Sequence, residues 1–215
     1  MSKKVLLTGF DPFGGESINP SLEAVELLHG RRAEGVLMVG CEIPTVFHES
    51  ISVLTSAIKK EEPDIVICIG QAGGRTQITP ELVAINVNDA RIPDNQNKQP
   101  IDEPIYEDGP VAYFSNLPVK NMVQQCIAAG IPAALSYSAG TFVCNHLFYG
   151  LMHYIHTEAS HIRGGFIHIP YVPQQVLHKT APSLSLEMIT EGLLLAGVTA
   201  AKGMTEGRFV GGSLH

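Results

Sequence analysis

Four short runs of almost unbroken apolar residues, each closed by glycine or proline, constrain this chain more than any other feature. They cover residues 4–9, 36–43, 64–70 and 165–169, and leucine and β-branched side chains dominate them. Runs that do not alternate with polar residues are buried on both faces, so they predict a sheet enclosed between two layers of helices. Helical patterns separate the first three. One runs from Pro20 to about His29, with Asn19 and Pro20 as N-cap and first helical residue, and another covers 46–60. This is βαβ alternation. Further on, 81–88 and 133–137 are predicted as strands and 119–129, 143–158 and 183–201 as helices. The Pro-, Asp- and Asn-rich stretch 91–116 fits no element. It is too long for an idle connection, so a functional or oligomer-forming role is expected. With no repeat, low-complexity tract or linker, residues 1–215 are expected to form one α/β domain.

A net charge of −7 argues against a nucleic-acid footprint and against binding to an anionic membrane surface. No apolar run approaches the ~20 residues needed to span a bilayer. Met1-Ser2-Lys3-Lys4 leads into the first strand without a cleavable small-residue site, so a cytoplasmic protein is expected. Cysteines stand at 41, 68, 126 and 144 with no CxxC pair, which suggests neither a disulfide framework nor a thiolate zinc site. Three of them read as small core residues.

Cys144 is different. In Ser138-Ala139-Gly140-Thr141-Phe142-Val143-Cys144-Asn145-His146 it opens an apolar helical pattern. Unpaired backbone N–H groups and the macrodipole there are expected to lower its pKa, as a reactive thiolate requires. Among nine histidines, His146, His153 and His156 lie on the helix after Cys144, while His29, His48, His161, His178 and His215 fall on helix faces or loops. His168 ends a strand, where doubly wound sheets form their sites. It is a candidate base if the strands at 133–137 and 165–169 are parallel neighbours; a buried imidazole bonded to backbone is the alternative. An acid should orient the base, and Glu81 stands alone in the apolar sequence 78–85, although an exposed position at a strand start is the reading that the residues alone favour.

Other chemistries are poorly supported. Gly70, Gly73 and Gly74 follow a strand but lack the Gly-Lys-Ser/Thr and GxGxxG contexts of nucleotide loops, so a tight turn in a pocket wall is expected. No HExxH or GxSxG motif is present. Neither metal nor cofactor is expected.

Together, GFDPFGG (9–15), the stretch from Glu81 through AINVNDARIPDN (84–95), SAGTFVCNHLFY (138–149) and GFIHIPYVPQQ (165–175) resemble the pyroglutamyl peptidase I, or pyrrolidone-carboxylate peptidase, family over nearly the full chain. One departure is that 94–98 lacks a glycine that many relatives show. The resemblance implies a three-layer α/β/α sandwich with a twisted, mixed, largely parallel sheet, assembled as a homotetramer. It implies a cysteine peptidase with the triad Cys144, His168 and Glu81. An oxyanion site would comprise the Cys144 backbone N–H and Arg91, and Phe10, Phe13, Gln71, Phe142 and Val143 would bind substrate.

The expected substrates are peptides with an N-terminal pyroglutamate, a lactam without a charged amine, held by shape between aromatic faces. Core packing is the plain alternative for those aromatic residues, above all for Phe142. The expected reaction passes through a thioacyl enzyme, with His168 accepting the Cys144 proton or pairing with a thiolate already formed. The competing expectation is a nucleoside- or phosphate-binding α/β protein without peptidase activity.

Overall fold

The computed structural model describes residues 3–203, 207 and 210–212. Strand β1 (Lys3–Phe10) leads through a loop to α1 (Pro20–Leu28). The short β2 (Arg32–Ala33) and β3 (Val36–Ile43) follow, then α2 (Glu49–Glu61) and β4 (Ile65–Gln71). Next come β5 (Thr79–Glu81), β6 (Val83–Ile85), β7 (Ala112–Phe114) and α3 (Val119–Ala128). The chain ends with α4 (Val143–Thr157), β8 (Arg163–Ile169) and α5 (Leu186–Ala201).

The main sheet has the order β2-β3-β1-β4-β8-β5. Its β3, β1, β4 and β8 are mutually parallel, and the short edge strands β2 and β5 run antiparallel. All seven residues of β4 are buried, as an apolar run between two helical layers requires. Side chains of α1, α3 and α5 fill one face of the sheet. Those of α2 and α4 fill the other. Among the described residues no helix is long and apolar enough to cross a membrane.

Helix α1 begins as its sequence predicts, with the Asn19 side chain accepting from Ser21 N and Pro20 opening the helix. Several elements differ from expectation: α5 starts at Leu186 rather than 183, behind the Ser185 N-cap, and 91–116 holds β7. Helix α2 starts only at Glu49, because His48 takes a left-handed φ of 64°. The stretch 81–88 divides: Glu81 ends β5 on the main sheet, whereas Val83–Ile85 pairs with β7 in a separate two-stranded sheet. Residues 133–137 form no named strand. Among the described residues they bridge only to β5 and the residue before it, through Ile78 with Ala133 and Glu81 with Ser136. Since those bridges are parallel and β5 is antiparallel to β8, this segment is not a parallel neighbour of β8.

Within 91–116 the Asn86 side chain does the organising. Its Oδ1 accepts from Ile105 N and Tyr106 N, and its Nδ2 donates to the carbonyls of Tyr106 and Gly109. The loop is therefore tied internally before β7 begins.

Candidate active site

Cys144 is the second residue of α4, and Phe142 supplies the extended N-cap. Thr141 Oγ1 donates to Asp89 O at 2.7 Å and Asp89 N to Thr141 O at 3.0 Å, fastening the helix start to the 89–95 loop. The sulfur rests against Gly70 of β4. A Cβ on Gly70 would stand 2.8 Å from Cys144 Sγ and 2.8 Å from Phe166 Cζ, so only glycine leaves room for the thiol here. Gly70 lies in register with His168 on β8. The juxtaposition expected of neighbouring parallel strands thus arises differently: α4 crosses the helical layer and lowers its N-terminus onto the carboxyl ends of β4 and β8.

His168 Nδ1 lies 2.7 Å from Glu81 Oε1. Glu81 is fully buried, which removes the exposed alternative. A carboxylate oxygen only accepts, so Nδ1 carries the proton and Nε2 is left with a free lone pair. Arg75 Nη1 lies 2.8 Å from the same Oε1 and also donates to Thr79 Oγ1, while Nη2 donates to Ser138 O at 3.3 Å. A buried carboxylate is costly without such a partner. Arg75 escaped the sequence reading; its clue was a cation in a glycine turn six residues before an isolated acid. Glu81 Oε2 has no hydrogen-bond partner among the described residues.

The expectation of a lowered Cys144 pKa is overturned. Burial pushes the thiol up to about 12, and the Glu81 charge adds to the rise; Arg75 and the backbone N–H oppose it more weakly. Desolvation among the core side chains outweighs the helix N-terminus. Burial also lowers His168, against the opposing hydrogen bond and charge of Glu81. Burial thus disfavours both charged forms, the thiolate and the imidazolium.

Both groups open onto a cavity of about 750 Å³, which Phe13, Phe142, Gln71 and Arg91 also line. Phe142 packs 6.1 Å from Phe13 and edge-on to Phe47 at 5.5 Å, centroid to centroid. Phe47, missed in the sequence, braces that wall from behind. Its N–H donates to Asp94 Oδ2 at 3.0 Å, and Asp94 Oδ1 accepts from Gln96 N and Lys98 N. Asn97, in the same loop, takes a left-handed φ of 62°, which asparagine tolerates.

Phe10 and Val143, by contrast, are buried in the core and do not line the cavity. The Phe10 ring sits 6.4 Å from Phe166, whose centroid is 4.8 Å from that of His168. Phe10 therefore supports the stack behind the imidazole rather than forming a wall.

The glycine turn is a tight turn in the cavity wall. Ala72 N donates to Ile169 O, Arg75 N donates to Ala72 O, and the Tyr171 hydroxyl fills the space a Gly73 Cβ would need. Other histidines are held elsewhere. His146 Nε2 accepts from His48 N at 2.8 Å and Nδ1 faces Asn88 Oδ1 at 3.0 Å; burial depresses its pKa to about 3. His153 Nδ1 meets the Tyr113 hydroxyl, and His29 Nδ1 accepts from Gly40 N. His215 lies outside the described residues. Cys41, Cys68 and Cys126 are free thiols away from the cavity lining.

Comparison with known proteins adds an independent line. A family model described as pyroglutamyl peptidase matches residues 3–203. A pyrrolidone-carboxylate peptidase of Bacillus velezensis is 60% identical over 215 residues, covering 100% of both chains. The crystal structure of pyroglutamyl peptidase I from Bacillus amyloliquefaciens superposes with a TM-score of 0.93 at 62% identity, over 94% of this chain and 96% of that one. A mutant pyrrolidone carboxyl peptidase from Pyrococcus furiosus gives a TM-score of 0.90 at 40% identity, over 93% and 98%.

Proposed function

The chain belongs to the pyroglutamyl peptidase family and is a cysteine peptidase that removes N-terminal pyroglutamyl residues from peptides; on that premise we propose that Cys144, His168 and Glu81 are its catalytic triad. The observation that carries the assignment is the cavity shared by Cys144 and His168, with Glu81 bonded to the far ring nitrogen of His168. Because burial disfavours both the thiolate and the imidazolium, proton transfer accompanies attack. His168 Nε2 takes the Sγ proton as sulfur bonds to the carbonyl carbon that follows the lactam ring. The oxyanion is met by the Cys144 N–H at the start of α4 and by Arg91 across the cavity. The C–N bond then breaks, the imidazolium gives its proton to the leaving amine, and the thioacyl enzyme forms. Water, deprotonated by His168, releases pyroglutamate and restores the thiol. Glu81 keeps Nδ1 protonated throughout and stabilises the imidazolium, while Arg75 holds the Glu81 carboxyl in place.

Phe13 and Phe142 flank the lactam, and Gln71 meets its polar edge. Phe10 and Val143 act behind that surface. The protein works as a single peptidase domain in the cytoplasm, as a homotetramer; the exposed Val111 just before β7 and Phe114 at its end supply apolar surface for association. Its net charge of −7 supports neither nucleic acid nor membrane as a partner.

The test is release of chromophore from a pyroglutamyl aryl amide, run beside the prolyl analogue. Wild-type protein cleaves only the first. Cys144→Ala and His168→Ala abolish cleavage, and Cys41→Ala, Cys68→Ala and Cys126→Ala leave it within about twofold. An active Cys144→Ala protein would sink the assignment.

A further inference from the structure

A lactam offers a carbonyl acceptor beside an N–H donor, so a side-chain amide that reads it must present the correct end. An unrestrained glutamine exchanges its NH₂ and C=O ends by rotation about its last bond. The chain does not leave that choice open at Gln71. Gln175, in the 3-10 turn Pro173–Val176 of the GFIHIPYVPQQ motif, donates from Nε2 to Gln71 Oε1 at 2.8 Å. With its oxygen turned to Gln175, Gln71 keeps its NH₂ end on the side away from that contact, and the residue lines the cavity.

Gln175 is oriented in its turn. Val172 N donates to its Oε1 at 3.2 Å, and Glu16 Oε2 accepts from its Nε2 at 3.3 Å, with Ile18 O at 3.5 Å. A donor on one end and a carboxylate on the other admit a single orientation. Glu16 is itself held by Lys179 Nζ, 2.6 Å from its other oxygen, and that ammonium lies 3.9 Å above the Tyr171 ring. The order therefore passes from Lys179 to Glu16, to Gln175, and to Gln71. Gln175 is half-buried and does not itself line the cavity.

We propose that Gln175 is a specificity-determining positioning residue, which locks the Gln71 amide as a hydrogen-bond donor to the ring carbonyl of the substrate's pyroglutamyl group. The inference rests on the lactam reading of the cavity given above. A prolyl N-terminus has a methylene where that carbonyl stands and a protonated amine in place of the amide N–H. A fixed donor gains nothing from the methylene, and the cavity then discriminates by leaving a polar group unpaired.

The experiment compares Gln175→Glu and Gln175→Met with wild type, using 2-pyrrolidone and pyrrolidine as competitive probes against a pyroglutamyl aryl amide. A carboxylate at 175 only accepts, so Gln71 turns its NH₂ toward it and shows its oxygen to the cavity. Expected are a rise of about 10–100-fold in KM and in the 2-pyrrolidone inhibition constant for Gln175→Glu, and a smaller rise for Gln175→Met. The kcat stays within about threefold, because no reacting group is touched. In Gln71→Met, adding Gln175→Glu costs nothing more. A merely structural role would lower kcat and thermal stability and weaken both probes alike. Gln175 variants that keep the wild-type ratio of the two inhibition constants overturn the relay while leaving the peptidase intact. Wild-type protein that fails to bind 2-pyrrolidone overturns the lactam reading itself, and the relay with it.

Discussion

His146 should make the protein acid-sensitive in a way that can be isolated. It is completely buried, accepts from His48 N at Nε2 and, by elimination, donates from Nδ1 to Asn88 Oδ1. A proton on Nε2 would set that nitrogen against the His48 N–H. Burial accordingly depresses the folded pKa to about 3, with a smaller contribution from His48, whereas the unfolded chain titrates near the model value of 6.5. The unfolded state then binds more protons between these values, so stability rises with pH across the window and falls as the solution is acidified. From pH 7 to pH 5 the loss attributable to this one residue is about 2 kcal/mol. His168 is shifted in the same direction and adds to the acid loss in every variant that retains it. His146→Gln can accept from His48 N and donate to Asn88 without titrating. Urea unfolding at pH 7 and pH 5, at one fixed protein concentration so that assembly does not intrude, should show a wild-type decline about 2 kcal/mol steeper than that of His146→Gln. Parallel declines would refute the burial argument.

Two further perturbations test the site's construction. Glu81→Gln should lower kcat on the order of 10³–10⁴-fold, less than loss of Cys144 or His168, since it disturbs the tautomer and leaves the reacting atoms in place. Because Glu81 raises the His168 pKa, the acid limb of kcat/KM, already below pH 6.5 through burial, should move lower still in this variant; a shift toward higher pH would contradict the assigned contact. Gly70→Ala places a methyl 2.8 Å from Cys144 Sγ and from the Phe166 ring, so it should cost about 1–3 kcal/mol of stability and depress kcat much more than KM. Wild-type turnover by Gly70→Ala would show that the thiol does not need that space.

Fold and site were not equally legible in the sequence. Uninterrupted apolar runs announced β1, β3, β4 and β8, because strands buried on both faces cannot alternate. Asn19 and Pro20 marked the start of α1 by local capping chemistry alone. The splitting of 81–88 could not be read there, since Val83–Ile85 is equally apolar whichever sheet it joins; its partner, β7, lies far along the chain. Likewise 133–137 has strand composition but, among the described residues, pairs only with the short stretch 78–81, through two isolated bridges.

By itself the sequence determined that a helix would begin at Cys144, that His168 would end a strand and that Glu81 would interrupt apolar surroundings, because each follows from residue type and near-neighbour pattern. Only the tertiary structure decided how these meet and how they ionise. Gly70 admits the sulfur and Gln175 turns Gln71 across gaps in sequence that no local pattern encodes, and Arg75, six residues before Glu81, reaches it only because the glycine turn folds back. The sign of the Cys144 shift belongs with them. A helix N-terminus is a local feature and lowers the pKa, but desolvation depends on everything packed around the thiol, and here it prevails.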